Sequence, residues 1–278
     1  MKVLLGLAAV PLLAMLFWYG RKRLQAARRS KLLTQPLAAH FIGILEKNVG
    51  LYTQLPNELK TNLHGLINVF LAEKQFSGCN GVQITDEMRV TVAGLASVLL
   101  LNRRTSYYSG FSTVMIYPDA YMATEVSFDG QVEVRRQVAR AGESWHRGPV
   151  ILSWNDVLRG AANVGDGYNV VLHEFAHKLD EENSHMDGLP VLRQQEQYGE
   201  WATVLGREYE SLGKRFARGK NKVLHEYGLT SPAEFFAVAT ESFFEKSVAM
   251  KKTLPDLYEQ LRRFYHLDPV SWGRTNRD

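Results

Sequence analysis

The segment His173-Glu174-Phe175-Ala176-His177 sets two imidazoles four positions apart with a carboxylate between them. On a helix this spacing brings both rings to one face, with Cβ atoms about 5 to 6 Å apart, close enough to hold one metal ion. Glu174 stands beside the pair, where it could take a proton from water. Zinc lowers the pKa of water from about 15.7 to about 7 and polarises a peptide carbonyl, so the set suits hydrolysis. Catalytic zinc usually has three protein ligands and a water, which leaves one donor to be found elsewhere in the chain.

Ser231-Pro232-Ala233-Glu234 opens a helix that carries Glu234, Glu241 and Glu245 near one face. Ser231 with Glu234 also matches a capping box, in which the glutamate bonds back to the Ser231 amide. The residues alone leave Glu234 and Glu241 level as the third ligand. Asp180, seven positions after His173, reads as a group that orients a ligand or caps the helix.

These side chains need elements to hold them. Val170, Val171, Leu172, Phe175 and Leu179 give the histidine segment an apolar face that predicts a buried helix. Residues 33–80 read as helical, with Leu59, Leu63, Leu66, Ile67, Phe70 and Leu71 at helical spacing, and Asp86 to Leu101 reads as another helix. Strands are predicted at Val114–Tyr117, Glu125–Phe128, Gln131–Val138 and Val150–Ser153, the middle pair joined by an Asp129-Gly130 hairpin turn. Helices around a small, mainly antiparallel sheet make an α+β fold, expected as one domain over residues 33–278.

The chain has 278 residues, a net charge of +4 and one cysteine, Cys79, which points to a reducing compartment. Seven basic and no acidic residues fall in residues 1–32, so the remainder carries a net charge of −3 and nucleic acid is not an expected partner. Val3 to Tyr19 is an uncharged, mostly apolar run of 17 residues ending in Trp18-Tyr19 and followed by the basic cluster Arg21–Lys31. It predicts a membrane anchor followed by a basic juxtamembrane segment over 1–32: a single-pass transmembrane helix in the inner, cytoplasmic membrane, with the catalytic domain facing the cytoplasm.

The motifs His173–Asp180, Ser231-Pro-Ala-Glu-Phe-Phe-Ala-Val and Glu241-Ser-Phe-Phe, with Met115–Pro118 and Gly142–Trp154, resemble the Mlc titration factor A family of zinc peptidases. The resemblance runs from about Leu55 to Pro269. It implies a zincin-like fold of gluzincin type, like the catalytic domain of anthrax lethal factor. It also implies one Zn2+ bound by His173, His177 and Glu234, Glu174 as general base, and Tyr227 as a hydrogen-bond donor to the developing oxyanion. The family's link to a glucose-responsive repressor implies a transcriptional regulator as a partner beside the peptide or protein substrate.

Two functions are therefore in view. One is peptide hydrolysis, with the substrate added along a sheet edge at Val150–Ser153. The other is a regulatory binding protein whose zinc site is structural or vestigial; a structural site would need a fourth protein ligand, from Glu241 or Asp180.

Overall fold

The computed structural model describes residues 2–103, 106–129, 132–145, 148–219 and 223–274. The chain runs α1 (Lys2–Thr34), α2 (Ala39–Asn48), α3 (Gly50–Gln54), α4 (Asn57–Glu73), β1 (Gln75–Gly78), α5 (Asp86–Val98), β2 (Thr113–Tyr117), β3 (Tyr121–Asp129) and β4 (Val132–Arg140). It continues through β5 (Gly142–Ser144), β6 (Val150–Ser153), α6 (Trp154–Ala162), α7 (Val170–Asp180), α8 (Gln197–Ala217), α9 (Pro232–Glu245), α10 (Ser247–Thr253) and α11 (Pro255–Tyr265). This is an α+β architecture with a small sheet among many helices.

The sheet is mixed, which corrects the expectation of a mainly antiparallel one. Its strand order is β1-β2-β6-β5, with β1–β2 and β2–β6 parallel and β6–β5 antiparallel. The helix α5 between β1 and β2 supplies the crossover that a parallel pair requires. The strongest turn signal in the sequence belongs to β3 and β4, which pair only with each other, in the register Asp129↔Val132 to Tyr121↔Arg140. Gly130 of the expected turn lies outside the described residues.

β6 is buried at all four positions because it has neighbours on both sides. Ser153 at its end caps the next helix, accepting from the Asp156 amide at 3.3 Å. α5 is buried throughout Val90–Val98, which explains its apolar, β-branched composition: it packs between α2, α4 and α7. Phe175 of α7 is fully buried, with ring centroids of Tyr108, Phe70 and Phe111 at 5.0, 5.6 and 5.7 Å. That cluster fixes the rotation of α7, and so the direction in which its histidines point.

The membrane anchor is also corrected. Among the described residues no helix is long and apolar enough to cross a membrane. The uncharged run is 17 residues against the roughly 20 a span needs, and α1 continues through the basic cluster as one helix of 33 residues. Its second half belongs to the packed domain. Arg29 grips Glu73 of α4 through Nε and Nη2, each at 2.7 Å, and Asn68 Nδ2 donates to Gln35 O at 2.9 Å. The helices cross so closely that a Cβ on Gly65 would meet the Leu33 carbonyl at 2.4 Å.

Candidate metal centre

The site is assembled by α7 and α9. Asn169 caps α7, its Oδ1 accepting from the Leu172 amide at 3.1 Å, while its Nδ2 donates to Gly160 O and to Glu245 Oε1 of α9. Ser231 caps α9 by accepting from the Glu234 amide at 3.2 Å. The Glu234 carboxylate itself turns toward the histidines, its Oε2 lying on both rings.

Three donor atoms converge there. His173 Nε2 and His177 Nε2 are 3.2 Å apart, and Glu234 Oε2 lies 2.8 Å from the first and 3.2 Å from the second. Among the described residues these three side chains form the cluster that could hold a metal ion. The chemistry of the donor set fits one. His173 Nδ1 lies 2.8 Å from Glu241 Oε1, so that nitrogen carries the proton and donates it. A neutral His173 then turns its Nε2 lone pair toward a carboxylate oxygen and a second imidazole, an arrangement that requires a cation in the middle. Without a metal that cation is a proton: burial opposes a charged His173, but Glu241, Glu234 and Glu174 outweigh it and hold its pKa well above the ordinary value. Burial would raise the Glu234 carboxyl, yet the bonds to His173 and His177 keep it well below the usual carboxylate range.

Glu234 and Glu241 thus occupy different places. Glu241 sits behind His173, buried, with Oε1 on Nδ1 and Oε2 accepting from the Asn169 amide. It fixes the ring's tautomer and tilt, as carboxylates behind metal-bound histidines commonly do. Replacing it with Gln is expected to weaken metal affinity about 10- to 100-fold, read by competition with a chelating dye; an unchanged affinity would remove this role.

Glu174 is buried on the adjoining face of α7, and burial pushes its pKa above the ordinary carboxylate value. It lies against the backbone of β5: a Cβ on Gly142 would stand 2.6 Å from Glu174 Oε1. β5, not Val150–Ser153, is therefore the strand beside the chemistry. β6 has partners on both sides, whereas β5 ends the sheet and lines the site cavity, which corrects the expected substrate edge. That cavity, of about 480 Å3, is walled by Gly142, Glu143, His173, Glu174, Tyr227 and Glu234, among others. Lys178 holds the chain leaving β5, donating to Trp145 O at 2.7 Å and Gly148 O at 3.2 Å.

Tyr227 lies in the short 3-10 turn Glu226–Leu229, half exposed, its ring centroid 5.8 Å from that of His173. His225, two positions before Tyr227 and read from its sequence context as a polar-surface residue, also lines the cavity and accepts from the Tyr227 amide through Nδ1 at 3.2 Å. Gly142 and Asn169 were missed as well. The asparagine before an apolar helical run was a readable cap; the glycine had no local signal, because its need is set by Glu174 from another element.

Asp180 is not among the three converging donors. Fully buried, it accepts from the Gly188 amide through Oδ2 at 2.8 Å, and its Oδ1 has no hydrogen-bond partner among the described residues. Burial pushes its pKa up to about 6. The folded state thus holds this proton more tightly than the unfolded chain, so the stability it lends is full below about pH 4 and falls as pH rises through 6, by about 3 kcal/mol. Asp180→Asn keeps an acceptor for Gly188 and cannot ionise. In urea unfolding the variant is expected to be the more stable protein at pH 8, with the gap closing toward pH 4; a gap independent of pH would refute the assignment.

An α+β domain in which two helices bring a pair of imidazoles and a carboxylate together beside a sheet edge fits a metallopeptidase domain. The family described as glucose-regulated metallo-peptidase M90 matches residues 23–266. The chain is 38% identical over 245 residues to an uncharacterized Synechocystis protein, covering 87% of this chain and 89% of that one. It is 30% identical to Mlc titration factor A of Pectobacterium atrosepticum, over 81% of this chain and 85% of the relative. With the same protein of Yersinia pestis the identity is 28%, over 81% and 83%. The chain belongs to the glucose-regulated metallo-peptidase M90 family, that of the Mlc titration factor A proteins.

Proposed function

We propose that the chain is a zinc-dependent peptidase of gluzincin type, with residues 33–278 as its peptidase domain, His173, His177 and Glu234 as metal ligands and Glu174 as general base. The observation that carries this reading is the convergence of His173 Nε2, His177 Nε2 and Glu234 Oε2 in a cavity whose wall is a sheet edge. Zinc held there would supply Lewis acidity, lowering the pKa of water to about 7 and polarising a carbonyl.

The chain's own groups do the rest. A substrate strand pairs along β5, which sets its scissile carbonyl near Glu174. The Glu174 carboxylate takes a proton from the attacking water and returns it to the leaving amine; burial raises its pKa above the ordinary carboxylate value, which strengthens it as a base. Tyr227, beside His173, donates a hydrogen bond to the oxygen on which charge develops. Glu241 keeps His173 in place throughout.

The regulatory reading rests on the name of the relatives, which points to a protein called Mlc and hence to a transcriptional regulator as partner. A structural zinc would need a fourth protein donor, and Glu241 and Asp180 are both engaged elsewhere. Binding a regulator on another surface is compatible with hydrolysis. A peptide-library digest by the zinc-loaded full chain, read by mass spectrometry, tests the proposal. Cleavage that stops on chelation and returns with zinc is expected; no cleavage by fully loaded protein would overturn the reading.

A further inference from the structure

A second cavity, of about 250 Å3, shares no lining residue with the first. It lies where residues 191–193, the start of α8 and the end of α11 meet Arg103, and its wall carries Arg103, Arg193, Arg263 and His266 but no carboxylate among the described residues. Arg263 is already neutralised, by Glu200 Oε2 at 2.8 Å and Glu259 Oε1 at 2.9 Å. Arg103 is not.

The Arg103 guanidinium is buried, 3.8 Å above the centre of the Phe264 ring, and its Nη1 has no hydrogen-bond partner among the described residues. Glu182 attracts it through space but is committed to Ser106 Oγ at 2.6 Å. A buried charge without a counter-charge is costly, and such charges are normally paired. Arg193 is exposed at the mouth and has no ion pair among the described residues. Gln197 begins the 21-residue helix α8, so the positive end of that helix also borders the cavity. The field is felt by His266: burial lowers its pKa, and Arg193 and Arg103 lower it further.

We propose that this cavity is an anion site, which takes a phosphate group, free or carried on a small metabolite, between Arg103 and Arg193. Two guanidinium forks supply parallel N–H donors that match phosphate oxygens, and the doubly charged group balances both cations. The site would report the presence of a phosphorylated small molecule to a protein whose cleft lies elsewhere.

Isothermal titration calorimetry on the full chain at constant ionic strength tests it, with inorganic phosphate and glycerol 3-phosphate as probes. Saturable one-site binding is expected, weakened about tenfold or more by Arg193→Ala and by Arg103→Met. The tighter of the two probes tells free from esterified phosphate. Arg193 is on the surface, so its variant carries the test even if Arg103→Met does not fold. No saturable binding of either probe, or binding that Arg193→Ala leaves unchanged, overturns the proposal.

Discussion

Replacing Glu174 with Gln is expected to cut peptide hydrolysis by about 10²- to 10⁴-fold while leaving the bound metal in place. The two effects separate because Glu174 is on the helix that carries the histidines but outside the convergence of their Nε2 atoms with Glu234. Gln has the same shape, so the fit against Gly142 survives, whereas the ability to accept and return a proton does not. Steady-state rates measured together with metal content check this. A variant that keeps its metal and its activity would show that another group moves the proton.

The second large effect concerns Glu234. Glu234→Ala leaves two imidazole nitrogens 3.2 Å apart with no third protein donor in their cluster among the described residues. The loss of zinc affinity is expected to exceed the roughly 10- to 100-fold that an outer carboxylate such as Glu241 is worth, and activity at limiting zinc should fall with it. The metal-free protein is affected too. The depressed pKa of Glu234 means that its bonds to the histidines stabilise the fold above the unfolded carboxylate value of about 4.3 and are lost as the pH falls further. The variant should therefore lose most stability at pH 7, with the gap from the wild type narrowing progressively as the pH falls below about 4, as measured by thermal unfolding with chelator present. Zinc affinity equal to that of the wild type would move the third ligand to another residue.

The grouping of the candidate site was more legible in the sequence than the sheet was. His173, Glu174 and His177 are spaced by one helical turn, and the apolar residues between them fix which way the helix faces; both are local properties that a sequence displays directly. The choice between Glu234 and Glu241 was not local. The two are separated by seven positions on one face of α9, and only the packing of α9 on α7 puts one on the Nε2 side of His173 and the other on its Nδ1 side. The proposal of Glu234 as the ligand rests on that difference of side, which periodicity does not display.

The sheet shows the same limit. The strands on either side of the Asp-Gly pair do run antiparallel to each other, but β1 is a four-residue strand, Gln75–Gly78, with no alternation of its own, inside a stretch whose periodicity reads as helical. Its place is decided by parallel pairing with Thr113–Ile116, about 38 residues later in the chain. β5 is shorter still and lies at the edge of the sheet, so a buried apolar strand, Val150–Ser153, was mistaken for the substrate edge. The basic half of α1 misled for a different reason. Apolar length followed by arginines is the pattern of a membrane anchor, yet here the arginines include Arg29, whose partner Glu73 is on a helix of the same domain.

Diffraction at the zinc edge from crystals of the zinc-saturated full chain tests the central claim most directly. The expected result is one anomalous peak per chain, within coordinating distance of His173 Nε2, His177 Nε2 and Glu234 Oε2, with one position left to solvent. No peak there in saturated crystals, or an ion closed off by Glu241 or Asp180 as a fourth protein ligand, would contradict it.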